Sequence, residues 1–485
     1  MDPFRERVVS GLGWSAASQF AREALRLVIG ILLARLLTPD EFGLVGMIYI
    51  FTGFAALFGD LGLGAALVQR ADLDRDHLDA VFWVNVGAGV ALTLLFLLAA
   101  PLVAAFYDEP VLEPLTMVIA LQFTIGSLNV VQGARLTRAM AFRRLAVIET
   151  GAAAGAGGIG IAMALTGFGV WSLVAQSLAG AALTAGWMWA ASPWRPRASL
   201  RWDRLRELLG YSSNLLGFNV FNYWIRNTDD LLIGRVLGSA ALGVYTRGYA
   251  LMLMPLTRVS QVVGRVMFPA LSSIQGDTDR VRDIYLRTIR VVALLTFPMM
   301  VGLLVVAEEF VLVLLGDQWA ELIPLLRVFA VLGLVQSIKT TVGWIYQSQG
   351  RTDLMFRWGI VAGVIYLASY FIGIRWGMMG VAVAYTLANV VLLTWPTFAI
   401  PGRLIGLSFP AIAIALAPVL GCALAMGLAV WGLDALLPAW PRAAVLAVDV
   451  AAGVVVYGAL VHGLGVGAYR EVREVVAEGW RGWGG

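Results

Sequence analysis

The sequence predicts an all-α, polytopic membrane protein: about fourteen transmembrane helices, arranged as two six-helix lobes in a parallel repeat around a central cavity, with two further helices after them. Three observations predict it. The 485 residues are 60% hydrophobic and 14% charged, with a mean hydropathy of +0.81, whereas a soluble domain is about 45–50% apolar and about 25% charged. Apolar stretches recur along the whole chain, and a span with its loop takes ~35 residues, which sets the count near fourteen. A shift of 200 positions aligns Arg26 with Arg226, Leu32 with Leu232, Arg35 with Arg235, Leu37 with Leu237, Gly43 with Gly243 and Tyr49 with Tyr249.

Windows of ~20 apolar residues, broken at charges and at Pro/Gly clusters, fall near 12–36, 42–69, 80–106, 114–133, 145–166 and 168–191. These six form the first half. The second half follows near 207–237, 241–271, 288–307, 322–347, 354–374 and 377–400, with two more spans near 409–432 and 442–464. The apolar runs are continuous rather than alternating in ~10-residue segments, which favours helices over a β-barrel. Arg5 and Arg7 precede an apolar stretch that carries Arg22, Glu23 and Arg26 and has no small-residue cleavage site, so it reads as a retained first span.

Arginine collects in alternate loops. One set holds Arg135, Arg138, Arg143 and Arg144; Arg195 through Arg206; Arg280, Arg282 and Arg287; Arg351; Arg403; and Arg470 with Arg473. These loops and both termini are therefore placed in the cytoplasm. The opposite set is short and acidic or neutral, with Asp40 and Glu41, Asp108 to Glu113, and Asp317 with Glu321; Arg375 and Arg442 are its basic exceptions. The resulting organisation is an N-lobe over 1–206 that includes a cytoplasmic linker, a C-lobe over 207–403, two spans over 404–467, and an amphipathic cytoplasmic tail over 468–485.

Both halves begin on the same side after an even number of crossings, so the repeat is parallel and its axis lies along the membrane normal. Two halves of this kind point to a transporter with its site between them. Ser15, Gln19, Arg22 and Arg26 share one face of the first span with Glu23 alongside, and the aligned span offers Asn219, Asn222, Tyr223, Arg226, Asp229 and Asp230. A charge at bilayer depth costs at least ~2.5–3.5 kcal/mol on insertion scales, which turns these faces toward a partner or a wet cavity. Mutual pairing of Glu23 with Arg26, and of Arg226 with Asp229 or Asp230, is the competing reading. The eighth span adds Arg247, Arg258 and Arg265 on roughly one face. Guanidinium forks suit a phosphate or diphosphate. Asp60 within Gly59-Asp60-Leu61-Gly62 is placed to carry a proton or pair with an arginine; Lys339, the sole lysine, and Arg327 are further cavity candidates.

Much is excluded. The formal charge of +4 is not a nucleic-acid-binding pattern. One cysteine, Cys422, and two histidines, His77 and His462, build neither a disulfide framework nor a metal site. No phosphate-binding loop, nucleophile elbow or metal-ligand pair occurs, so nothing reads as catalytic. Gly151, Gly155 and Gly158 have the spacing of close helix packing rather than of nucleotide binding.

The stretch Arg35-Leu36-Leu37-Thr38-Pro39-Asp40-Glu41-Phe42-Gly43, followed by Phe58-Gly59-Asp60-Leu61-Gly62-Leu63 and Val68-Gln69-Arg70, resembles the start of bacterial polysaccharide (O-antigen type) flippases of the multidrug/oligosaccharidyl-lipid/polysaccharide exporter superfamily. Asp230-Leu231-Leu232-Ile233-Gly234-Arg235-Val236-Leu237-Gly238, Leu242-Gly243-Val244-Tyr245 and Phe268-Pro269-Ala270-Leu271-Ser272 extend the resemblance over nearly the whole chain. It implies two six-helix lobes around a V-shaped cavity and translocation of an undecaprenyl-diphosphate-linked oligosaccharide from the inner to the outer leaflet of the bacterial inner membrane. It implies no bound cofactor, and a polysaccharide polymerase and assembly proteins as partners. Cationic cavity residues would then hold the diphosphate, which fits Arg22, Arg26, Arg226 and Arg258, with Arg247, Gln19 and Asn222 beside them. Asp60, Glu23, Asp229 and Asp230 are the candidates for charge pairing or for coupling to protons or sodium ions. The first alternative is a multidrug/cation antiporter of the same superfamily, whose cavity would favour carboxylates and aromatics. The second is a membrane glycosyltransferase, polymerase or ligase.

Overall fold

The computed structural model describes residues 22–59, 63–70, 72–198, 213–434, 436, 440–471 and 473, with the backbone alone at 213–219 and 221. All regular structure among them is helical. Contacts divide the chain into two compact units, Met1–Gly243 and Val244–Gly485.

The first unit contains α1 (22–36), α2 (Pro39–Gly59), α3 (Leu63–Gln69), α4 (Arg75–Tyr107), α5 (Leu112–Ser127), α6 (Val130–Arg138), α7 (Phe142–Leu165), α8 (Trp171–Ala191) and α9 (Ser213–Leu237). The start of α2 follows from three residues. Thr38 N donates to Glu41 Oε2 at 2.7 Å, Glu41 N donates back to Thr38 Oγ1 at 3.4 Å, and Pro39 sits at the first helical position, where no amide hydrogen is needed. Helices α4 and α5 pair, α7 and α8 pair, and α9 lies on α2. Ile29, Leu33 and Leu37 pack with Val45, Ala164 and Leu173, which seats α1 on α2, α7 and α8.

The glycine-rich face of α7 carries part of the packing expected of it. Gly151 lies under the Trp187 ring and Gly155 under Leu183, but Gly158 has no atom within 4 Å of where a Cβ would stand. Gly157, against Ile29, and Gly160, against Gln176, pack instead. The 3.6-residue period turns the small-residue stripe by one position at that point.

Helix α10 (Ser239–Ser273) begins in the first unit, and there it crosses α2. A Cβ on Gly43 would overlap the Ser239 carbonyl, and a Cβ on Gly243 would overlap the Pro39 carbonyl. The contact is reciprocal under the 200-residue shift, since Pro39 maps to Ser239 and Gly43 to Gly243. The Ser239 hydroxyl donates to Asp40 across the same crossing.

The second unit holds the rest of α10, α11 (Thr278–Val305), α12 (Ala307–Leu314), α13 (Leu322–Lys339), α14 (Val342–Ser348), α15 (Thr352–Gly373), α16 (Gly377–Leu387), a π-helical segment (Ala388–Leu393), α17 (Thr394–Gly402), α18 (Phe409–Asp434) and α19 (Arg442–Gly463). Its core runs through α11, α18 and α19, with Val292, Ala293, Phe297, Val419, Ala423 and Val461 buried together.

Nine stretches among the described residues are long and apolar enough to cross a membrane. One of them, Thr352–Ile405, has 54 residues, which would reach about 80 Å as one helix against ~30 Å of hydrocarbon. It breaks at Gly377, whose φ of +73° ends one helix and starts another. Helices α9 and α10 are not among the nine, because charged and polar side chains dilute their apolar stretches. Several expected single windows are jointed: 114–133 breaks between α5 and α6, and 322–347 breaks at Thr340 and Thr341. The Thr340 and Thr341 hydroxyls turn back to the carbonyls of Ser337 and Ile338, competing with the helix ladder.

Candidate functional site

Within the first unit the expected cations are treated unequally. The Arg22 guanidinium is paired with Glu149 of α7, a carboxylate that the linear sequence did not single out. Arg26 Nη1 stands 3.4 Å from Glu23 Oε1, the i,i+3 pairing that competed with a binding role, while its side chain stays 65% exposed. Arg226 on α9 is exposed and makes no hydrogen bond or ion pair among the described residues, so the competing reading, a pairing with Asp229 or Asp230, does not form. Asp229 is buried, whereas Asp230 is half-buried and lies near Tyr107 and Tyr223. Asn222 is half-buried one turn before Arg226. The Tyr223 hydroxyl donates to the Ile50 carbonyl at 2.7 Å and fixes this face of α9 on α2. Gln19 and Asp60 lie outside the described residues.

In the second unit, the Arg247 guanidinium sits 5.9 Å from the centroid of the buried Trp319 ring, a cation–π arrangement. Arg258 Nη1 donates to Gln261 Oε1 at 3.4 Å, and Ser260 shares a hydrogen bond with Thr340 at 2.8 Å. Lys339 has a more elaborate setting. Its Nζ donates to the Asn389 carbonyl at 2.8 Å and to Asn389 Oδ1 at 3.3 Å. Asn389 is the second residue of the π-helical segment, where the wider turn frees its carbonyl; Thr394 Oγ1 also donates there, at 2.7 Å. Tyr366 donates to Asn389 Oδ1 at 3.1 Å, and Gln336 Nε2 donates to the Tyr385 hydroxyl at 3.2 Å. Sequence reasoning named the lysine and missed its partners. The signal was there in part: Gln336 and Lys339 are three apart, Tyr385 and Asn389 four apart, so each pair shares a helical face.

Among the described residues no group of three or more His, Cys, Asp or Glu could hold a metal ion. The arrangement offers instead guanidinium groups on membrane helices, an exposed one on α9, and a neutral polar network around one ammonium. Such groups bind and orient anions; they hold no nucleophile and base in contact.

The model of the polysaccharide biosynthesis protein family matches residues 32–324. The succinoglycan biosynthesis transport protein ExoT of Rhizobium meliloti (strain 1021) is 30% identical over 74% of this chain and 72% of its own. The teichuronic acid biosynthesis protein TuaB of Bacillus subtilis (strain 168) is 28% identical over 81% of this chain and 82% of its own. Among solved structures, the lipid II flippase MurJ in an inward closed conformation superposes with a TM-score of 0.74 at 13% identity, over 95% of this chain and 99% of that one, which shows a shared fold. The chain therefore belongs to the polysaccharide biosynthesis protein family: it is a multi-pass, all-helical membrane protein of a transport family, not of an enzyme family.

Proposed function

From that membership, we propose that the protein flips a polyprenyl-diphosphate-linked oligosaccharide from the cytoplasmic to the outer leaflet of the bacterial inner membrane, supplying synthesis of an exopolysaccharide, capsule or O-antigen. The single observation that carries the reading is Arg226, an exposed guanidinium without a hydrogen bond or ion pair among the described residues, on a helix inside a membrane protein. Leaving such a charge uncompensated costs several kcal/mol unless an anion or water meets it. The planar fork of arginine matches the paired oxygens of a diphosphate.

In this proposal fourteen helices form lobes over 1–206 and 207–403, two helices over 404–467 and a cytoplasmic tail over 468–485, and both termini are cytoplasmic. The head group meets Arg226 and Arg26 first, with Asn222, Gln19, Arg247 and Arg258 completing the polar path. Arg22, already shared with Glu149, contributes less. The lobes alternate between inward and outward access, and Asp60, Asp229 or Asp230 carries any proton or sodium coupling. A polysaccharide polymerase and assembly proteins take the product.

Translocation of a fluorescent polyprenyl-diphosphate oligosaccharide in proteoliposomes tests this. Wild type is expected to flip it, and Arg26→Ala/Arg226→Ala to lose at least tenfold in rate at equal reconstitution. Wild type that flips no lipid-linked sugar but exports ethidium would replace the proposal with cation antiport.

A further inference from the structure

A cavity of about 490 Å³ lies within the first unit between α2, α4, α5 and α6, inside the ~300–1,000 Å³ range of small-molecule sites. Four glycines line it, and they do so for two different reasons. Gly53 and Gly89 are required by packing: a Cβ would stand 2.6 Å from the Tyr223 hydroxyl in the first case and 2.7 Å from both the Phe123 carbonyl and Ser127 Oγ in the second. Gly126 has nothing within 4 Å and Gly59 only Leu92 Cδ1 at 3.8 Å, so helix packing explains neither. Their missing side chains leave smooth backbone walls and keep the cavity open.

The polar groups around it are neutral and oriented. Ser177 Oγ donates to Gln122 Oε1 at 3.2 Å, which fixes the amide and leaves Nε2, bonded to no described residue, as a donor toward the cavity. The Tyr49 hydroxyl is likewise without a partner among the described residues, and Thr52 and Ser127 add hydroxyls whose own hydrogens go to the carbonyls of Ile48 and Thr124. Tyr49 and Phe123 are the aromatic residues of the wall. No Asp, Glu, Lys, Arg or His lines the cavity among the described residues. In the second unit Tyr249, which the 200-residue shift pairs with Tyr49, instead meets Phe329 edge to face and receives Gln336 Nε2 at 3.5 Å.

We propose that this cavity is a subsite for an uncharged sugar ring of the transported glycan, with Gln122 and Tyr49 as its hydrogen-bonding groups. The inference rests on the flippase reading and deepens it. A diphosphate or an acidic sugar would find no cation here, and a hydrocarbon chain would strand the Gln122 and Tyr49 donors, whereas a pyranose offers hydroxyl acceptors and an apolar face for the rings.

Transport of two probes separates the possibilities: a fluorescent undecaprenyl-diphosphate bearing a neutral tetrasaccharide, and the same lipid diphosphate without sugar. Gly126→Phe puts a ring at the cavity wall from a position where a Cβ meets no atom within 4 Å; Gln122→Leu removes one donor and guards against a folding failure of the first variant; Gly158→Leu is the control at an exposed glycine elsewhere. The expected result is that wild type and Gly158→Leu flip the glycolipid, Gly126→Phe loses at least tenfold, and Gln122→Leu raises the half-saturating concentration about tenfold, the effect of one lost hydrogen bond. Transport of the sugar-free lipid should not change. Wild-type flipping that persists in both variants overturns the subsite and leaves the flippase standing. Equal loss with both probes also overturns it, since the variants would then act on transport in general. Absence of any wild-type flipping overturns the flippase reading itself, and the subsite with it.

Discussion

Replacing Gly43 by alanine puts a methyl group into the crossing of α2 and α10. The nearest atoms are backbone: the new Cβ would overlap the Ser239 carbonyl, and even the third-nearest atom, Ser239 Cα, would be 2.9 Å away. Carbon atoms prefer ~3.5–4.0 Å, so the helices must part by more than half an ångström, and by more again to clear the carbonyl. Neither helix can yield through a rotamer, because no side chain is in the way. Overpacking of this kind costs about 1–3 kcal/mol. Gly243→Ala should cost about the same, since its Cβ meets the Pro39 carbonyl and then Gly43 N at 3.0 Å. Both residues occupy one crossing, so once the first methyl has separated the helices the second enters cheaply. The double variant is therefore expected to cost little more than the worse single one, a coupling on the order of 1 kcal/mol or more. Thermal unfolding of the four proteins in one detergent measures the cycle, with Gly158→Ala as a control that should not lose stability. Unchanged Tm in Gly43→Ala would refute the contact, and a strictly additive double variant would refute the shared crossing.

Three further predictions rest on side-chain partners. Glu149→Gln releases Arg22, so it should tighten binding of the lipid diphosphate several-fold in a titration; weaker binding would mean that Glu149 itself orients the site. Lys339→Met removes the ammonium but orphans no acceptor, because the Asn389 carbonyl keeps Thr394 and Oδ1 keeps Tyr366; the cost should stay near or below about 1 kcal/mol, and a loss of cooperative unfolding would contradict that accounting. Glu309, on the short helix α12, has its carboxyl raised by burial first and then by Asp434 and Glu308, against the lowering effect of Arg327. A raised folded value means that the folded state holds the proton more tightly, so ionisation costs stability above the ordinary glutamate range, ~4.3, and none below it. Glu309→Gln is expected to raise Tm at pH 7–8 and not at pH 4; an equal gain at both would assign the effect to packing.

Composition and periodicity determined the helices, because a bilayer leaves the backbone no other way to satisfy itself over twenty apolar residues. Where their residues are described the expected windows are mostly helix, interrupted by short breaks such as those at 128–129 and 340–341, and the 200-residue repeat was legible because Gly43 and Gly243 stand at equivalent places in it. Local pairing was legible too where it is local: Glu23 with Arg26 is a matter of i,i+3 spacing. Pairing across helices was not. Sequence spacing says which residues share a face, and only packing says which face meets which; so Arg22 found Glu149, 127 positions away, while Arg226 passed over the carboxylates three and four residues from it. The same holds for emptiness. Gly89 and Gly126 look alike in the sequence and both border the cavity, yet a Cβ on the first would strike the Phe123 carbonyl and a Cβ on the second would meet nothing, a difference that exists only once α4 and α5 lie side by side.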